Sequence, residues 1–306
     1  MLNSKHSRTT LLIFLILMPI TTVVLPNIVK QAYAATTVYD FIAHASDAST
    51  LWSSGAGSLK FPGSDTDSKG FARYADKATL EDGTTWPRVL ETHPQWVSDG
   101  YIIGRYPQIT VAVNVQLRVN VGFLKGATAT DGVTFEVYFE YMQKRTLILS
   151  QYSTYDAKLD SLVKSLSSFA GNTGDFILYV KAGKSSSQDW AVWAEARIET
   201  IPLPDLTITD IWSVGSVINY KVKNVGDARI GSLAAPSTFS NVLFIDGKQV
   251  AKDTITGILE PGQELERSFN YQWQMTPPQD TVRVQADYEQ NVVEKDEQNN
   301  FREEVW

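Results

Sequence analysis

Apolar and polar residues alternate along much of this chain. Residues 109–123 (ITVAVNVQLRVNVGF), 133–142 (VTFEVYFEYM) and 175–183 (DFILYVKAG) keep this pattern. A strand turns successive side chains to opposite faces, so a period of two predicts strands with one buried face. Residues 189–199 (DWAVWAEARIE) read as a further strand that closes the first half. Asp131-Gly132, Gly171-Asn172, and Gly183 with the serines after it, supply the turns. One stretch departs from the pattern. Residues 159–171 (LDSLVKSLSSFAG) place Leu159, Leu162, Val163 and Leu166 on one helical face, with Gly171 as a stop. They predict a helix or helical turn, and a short strand followed by a turn is the alternative.

Residues 200–205 (TIPLPD) hold two prolines in three positions. Prolines stiffen a chain and cannot serve a central strand. The predicted domain boundary falls here, with residues 36–200 before it, 201–204 as linker and 205–306 after it. About seven short strands follow. Asp246-Gly247 between VLFI and KQVAKD is a two-residue hairpin signal, and Asn224-Val225-Gly226-Asp227 and Glu260-Pro261-Gly262 are further turns. Seven strands over about a hundred residues fit an immunoglobulin-like sandwich.

The beginning of the chain follows different rules. Lys5 and Arg8 precede an apolar run at residues 11–25, and Ala32-Tyr33-Ala34 puts small residues at the two positions that a signal peptidase reads. The expectation for residues 1–34 is a signal peptide cut after Ala34, with a retained membrane anchor as the alternative. The run contains Pro19 and is shorter than the ~20 residues of a spanning helix. No second apolar run of that length follows, so the mature chain is read as having no membrane span and as extracellular or bound to the cell surface.

Charge and cysteine content narrow the classes further. The formal net charge is −7, and loss of the leader with Lys5, Arg8 and Lys30 lowers it by three, to −10. An acidic surface repels phosphate backbones, so nucleic acid is excluded as an expected partner. The chain has no cysteine. Disulfide scaffolds, thiolate metal sites and cysteine nucleophiles are therefore excluded, and hydrophobic cores must hold the fold. About 270 residues are enough for two such cores.

Two family resemblances follow from particular residues. PDLTITDI (204–211), INYKVKNVGDA (218–228), FIDGKQV (244–250), LEPGQ (259–263) and the V-x-E-x-D-E-x-N-N run (292–300) occur in this order. Together they resemble the CARDB domain, a cell-adhesion-related module of bacteria and archaea. That resemblance implies a surface-exposed binding or spacer domain. VGFLKGATATDGVTFEVYF (121–139) and SSSQDWAVWAEARI (185–198) resemble galactose-binding-like jelly rolls of the NPCBM type. The second segment carries Asp189, Ala191, Trp193, Ala196 and Arg197 of the closing strand. This resemblance implies a non-catalytic module that binds polysaccharide or a cell-surface glycan. The expected fold is all-β, with two β-sandwich domains, a jelly roll and then an immunoglobulin-like domain, after the signal peptide.

The candidate chemistry agrees with a binding protein. Five of the eight tryptophans lie in the first expected domain, residues 36–200: Trp52, Trp86, Trp96, Trp190 and Trp193. An exposed indole offers a flat apolar platform to the C–H face of a sugar, while Asp, Asn, Gln and Arg bind its hydroxyls. Residues 84–100 (TTWPRVLETHPQWVSDG) are rich in turns, which makes Trp86, Arg88, Trp96 and Asp99 the candidate glycan contacts, with core packing as the alternative for the two tryptophans. Trp193 is the expected core residue. His93 is read as a partly buried imidazole bonded to backbone, with ligand contact as the alternative. No catalytic motif occurs, and the chain is not read as an enzyme.

Two loops raise calcium. Asp65, Asp67, Gly70 and Asp76 match part of an EF-hand spacing, but Lys69 stands where an oxygen ligand is required. Asp287, Asn291, Glu294, Asp296 and Glu297 crowd the loop of residues 287–300. That loop is either a turn in which side chains bond their own backbone, or a calcium site in the weak extracellular class, on the order of 10⁻⁴–10⁻³ M. The expected function is a secreted protein for carbohydrate binding or cell adhesion. A structural subunit of a surface layer or filament, contacting other surface proteins, is the alternative, and a glycoside hydrolase or its accessory comes third.

Overall fold

A computed structural model describes residues 35–231 and 237–306. The signal-peptide expectation lies outside the described residues. The described chain is built from strands, with one 3-10 turn at Ser167–Phe169.

The first sandwich has two six-stranded antiparallel sheets. The first sheet runs β10 (Asp160–Ser165), β7 (Val115–Phe123), β12 (Ala191–Thr200), β5 (Thr85–His93), β4 (Phe71–Thr79). Its sixth strand, β1 (Thr37–Asp40), pairs with β12 beyond the end of β5. The second sheet runs β3 (Gly57–Leu59), β2 (Leu51–Ser54), β6 (Tyr101–Thr110), β11 (Thr173–Ala182), β8 (Val133–Tyr141), β9 (Lys144–Ser153). Val115, Leu117, Val119 and Val121 of β7 and Val133, Phe135, Val137 and Phe139 of β8 point into one apolar core. Period-two alternation placed these residues correctly, because each strand has one face on that core.

Three local readings need correction. The alternation of residues 109–123 is not one strand. It spans the end of β6, a turn in which Asn114 has φ 53, and then β7. Residues 159–171 are not a helix. Ser161–Ser165 hydrogen-bond along Gln116–Asn120, which makes β10 an edge strand, and the 3-10 turn follows. Leu162 and Leu166 pack on the core while Val163 is exposed, so the leucine spacing satisfied a strand and a turn as well as a helix. Finally, β12 does not alternate where it begins, since Ala191–Ala194 are all buried. Ala191 and Trp193 face the main core, and Val192 and Ala194 join Leu80 and Val89 in a small cluster on the other face.

The second sandwich has seven strands in two sheets: β13 (Leu206–Val214), β14 (Val217–Asn224) and β17 (Glu264–Gln272), and β16 (Lys248–Gly257), β15 (Ser237–Ile245), β18 (Thr281–Gln285) and β19 (Phe301–Val305). Its core is separate from the first and includes Leu206, Tyr220, Phe239, Phe269 and Val284. The expected hairpin joins β15 to β16. Asp246 and Gly247 both take positive φ, at 49° and 76°, which a type I′ turn requires. Asn224 is fully buried. Its side chain accepts from the N–H groups of Asp205 and Gly226 and donates to the carbonyls of Ala228 and Leu259. A Cβ on Gly226 would lie 2.5 Å from Leu203 O and from Asp205 N, so only glycine fits there. The Asn-Val-Gly segment is thus a folded corner. Between the sandwiches, Ile201 N–H donates to Asn114 O, while the carbonyls of Leu203 and Pro204 accept from Asp227, Ala228 and Lys295.

Candidate functional site

Register places the polar groups of the site. Phe71 pairs with His93, and Arg73 with Glu91, across β4 and β5. Their neighbours Ala72 and Leu90 face the main core, so these four side chains stand on the opposite face. Trp96 leaves β5 three residues on, where its N–H bonds Ser68 O. Trp190 precedes β12, and its carbonyl accepts from Leu124 N–H. The outcome is a cleft on the outer face of the first sheet. It holds Phe71, His93, Trp96 and Trp190 with Asp65, Arg73 and Glu91, at about 470 Å³. An adjoining lobe of about 400 Å³ adds Ser185–Gln188. Trp96 is 44% exposed and Trp190 half-buried.

The charged floor is locked. Arg73 Nε donates to Glu91 Oε2 at 2.7 Å, and Nη1 donates to Asp65 Oδ2 at 2.9 Å. Its guanidinium also lies 5.2 Å from the centre of the Phe71 ring. Burial opposes the Arg73 charge, and the two carboxylates outweigh it, so its pKa rises. Burial pushes Glu91 above the usual carboxylate range even though Arg73 opposes that shift. The direct Nε–H bond identifies the two as an ionised pair.

His93 is 4% exposed, and burial lowers its pKa. Its Nδ1 lies 2.8 Å from Pro94 O. A carbonyl only accepts, so Nδ1 carries the proton and Nε2 bears a lone pair. The ring stacks on Phe71 at 5.3 Å and is tilted against Trp96 at 5.7 Å. The backbone-bonded imidazole expected from the sequence is found, and its ring lines the cleft.

The four expected glycan contacts occupy three places. Trp96 lines the cleft just described. Trp86 and Arg88 line another, of about 350 Å³, beside Glu195 and Arg197. Arg88 is bound there to Asp76 and lies over the Tyr74 ring, and the Trp86 indole N–H donates to Thr84. Asp99 pairs with Lys181 at 2.9 Å and lines neither cleft. Sequence reading placed Trp190 in the closing strand and singled out neither Asp65 nor Arg73 for sugar contact. Their signal was the strand register, which no local pattern reveals. A larger cleft of about 600 Å³ borders Trp52 and Arg105. Trp52 is buried there with its N–H on Ala45 O, so this cleft presents no exposed indole to a sugar.

The acidic loops are bonded to nitrogen. Asp287 is buried and accepts from Asn291 and Val292 N–H. Glu294 accepts from Leu206 N–H and Asn300 Nδ2, and burial pushes its carboxyl up to about 8. Glu297 accepts from Glu294 N–H, and Asp296 from Gln298 N–H. Asn291 Nδ2 lies 3.5 Å from Glu289. In the EF-hand-like segment Asp65 binds Arg73, Asp67 accepts from Lys69 N–H, and Asp76 binds Arg88. Among the described residues no group of three or more Asp, Glu or His side chains is placed to hold a metal ion.

No curated protein matches this chain. Several solved structures are similar to it. A CARDB domain from Pyrococcus furiosus, in complex with di-metal ions, is 28% identical over 34% of this chain and 91% of its own, with a TM-score of 0.27. TmCBM61 in complex with β-1,4-galactotriose is 10% identical over 53% of this chain and 94% of its own, at 0.33. The CBM22-1–GH10 modules of Clostridium thermocellum xylanase 10B, complexed with xylohexaose, are 10% identical over 60% of this chain, at 0.35, and this chain spans 30% of that one. The matching family model is CARDB, over residues 203–304, which contain the Asn224 corner, the first six strands described for the second sandwich and all of the seventh but Val305.

Proposed function

We propose that this is a secreted, non-catalytic protein that binds carbohydrate at the cell surface, with the Trp96–Trp190 cleft as its glycan site. The observation that carries this reading is the cleft. Two indoles with open surface flank a floor of hydrogen-bonding groups, which is the combination a sugar ring needs. Catalysis has no comparable support there, because Glu91 is bound by Arg73 and buried. The CARDB sandwich is read as the adhesive contact or spacer. Residues 36–200 and 205–306 are read as separable domains joined at 201–204, so residues 203–306 expressed alone should fold and unfold in one cooperative transition. The exported chain should begin at Ala35 by mass spectrometry.

Affinity electrophoresis through gels containing neutral polysaccharides tests the glycan reading. At least one should retard the wild type, and Trp96→Ala and Trp190→Ala should remove the retardation while the far-UV spectrum is unchanged. Wild-type migration that no polysaccharide alters would refute it. The second reading, a subunit of a surface layer or filament, draws on β9. It is a ten-residue edge strand with Leu147 49% and Tyr152 56% exposed. Growth of particle size with concentration in light scattering would favour it.

A further inference from the structure

We infer that the Trp96–Trp190 cleft takes sugars without negative charge and rejects uronic acids and sulfated sugars. This rests on the glycan-binding reading of the same cleft. Among the described residues that line it, Arg73 is the one side chain with a full positive charge. Two carboxylates already hold it, Glu91 on Nε and Asp65 on Nη1. The three groups together carry −1. A sugar carboxylate entering here would be the third around one guanidinium, and each of the two edges that could grip it with a pair of N–H groups already has one nitrogen engaged, Nε by Glu91 and Nη1 by Asp65.

The remaining groups match a hydroxyl, which both donates and accepts. Arg73 keeps Nη2 as a donor. Gln188 spends its Oε1 on Ala129 N–H, and its Nε2 has no partner among the described residues. On the accepting side, His93 Nε2 has no hydrogen-bond partner among the described residues, and the residue is more than nine-tenths buried. Burial keeps that ring neutral. Asp65 is 60% exposed in its side chain and has Oδ1 to offer. A carboxylate or sulfate only accepts. Against His93 Nε2 and Asp65 it would place lone pair on lone pair and charge on like charge.

The test uses neutral polysaccharides and the same polymers with the C6 hydroxyl oxidised to a carboxylate, measured by affinity electrophoresis with the full chain. Oxidation should weaken retention by about tenfold or more at low salt, from a unit charge brought within several ångströms of another. The ratio of neutral to oxidised binding should shrink in about 1 M NaCl, where the screening length falls to ~3 Å. Asp65→Asn, which removes the net charge, should also shrink it. Oxidised polymers retained as strongly as neutral ones, with both lost in Trp96→Ala, would overturn the charge selectivity and leave the glycan site standing. Retention of neither polymer would overturn the glycan reading, and the selectivity with it.

Discussion

Trp193 and Trp96 make opposite predictions from the same residue type. Trp193 is fully buried in the main core, with its ring 5.1 Å from that of Phe135 in an edge-to-face contact. Removing a buried tryptophan to alanine costs roughly 3–5 kcal/mol, because surface transfer and cavity terms add. For a domain of this size each kcal/mol moves Tm by about 2–4 °C, so Trp193→Ala should lower the first transition by roughly 6–20 °C. The structure adds a finer expectation. The Trp193 indole N–H has no hydrogen-bond partner among the described residues, and such a buried orphan costs about 1–3 kcal/mol. Trp193→Phe removes that donor along with part of the ring volume, so its net loss should be well under half that of the alanine variant. Trp96 is 44% exposed, and Trp96→Ala should shift Tm by no more than a few degrees. Differential scanning calorimetry on the three variants decides this. Equal drops for Trp96→Ala and Trp193→Ala would mean that Trp96 is a core residue, and the sugar platform would be lost. A Trp193→Phe loss as large as that of alanine would refute the argument from the orphaned N–H.

Other measurements reach the second sandwich. Burial raises Glu294 to about 8 in the folded state against about 4.3 when unfolded, so its contribution favours folding below about pH 4 and is lost as pH rises to 8. Glu294→Gln should remove that loss and exceed wild type in Tm above pH 8, since a turned Asn300 amide would give its unpaired Oδ1 a donor; equal pH profiles would count against it. Asn224→Ala leaves buried N–H and C=O groups without partners and should cost about 3 kcal/mol or more, lowering the second transition alone; a shift under ~1 kcal/mol would contradict the corner's role. Calcium at about 5 mM should leave Tm unchanged if Asp287, Glu294 and Glu297 stay on their N–H partners; a rise that a chelator reverses would show that the loop reopens around an ion.

Local signals carried much of this protein. Alternation in residues 133–142 placed β8, because a strand's two faces are written in its own residues. Asp246-Gly247 specified its hairpin, because the required backbone angles belong to those two residues. The ordered motifs from residue 204 onward anticipated the CARDB match at 203–304. Where pairing decides, the sequence was ambiguous: Leu159, Leu162 and Leu166 suit a helix equally well, and pairing with β7 put Leu162 in a strand and Leu166 at the turn after it, while Leu159 precedes the strand and packs on the small cluster of the other face. The cleft belongs to tertiary structure altogether. Trp96 and Trp190 are distant in the chain, and Arg73 meets Glu91 only because two strands pair in one register. Sequence determines which side chains a strand turns outward. Which of them become neighbours depends on strand order and register, and those are set by the shared burial of residues far apart along the chain.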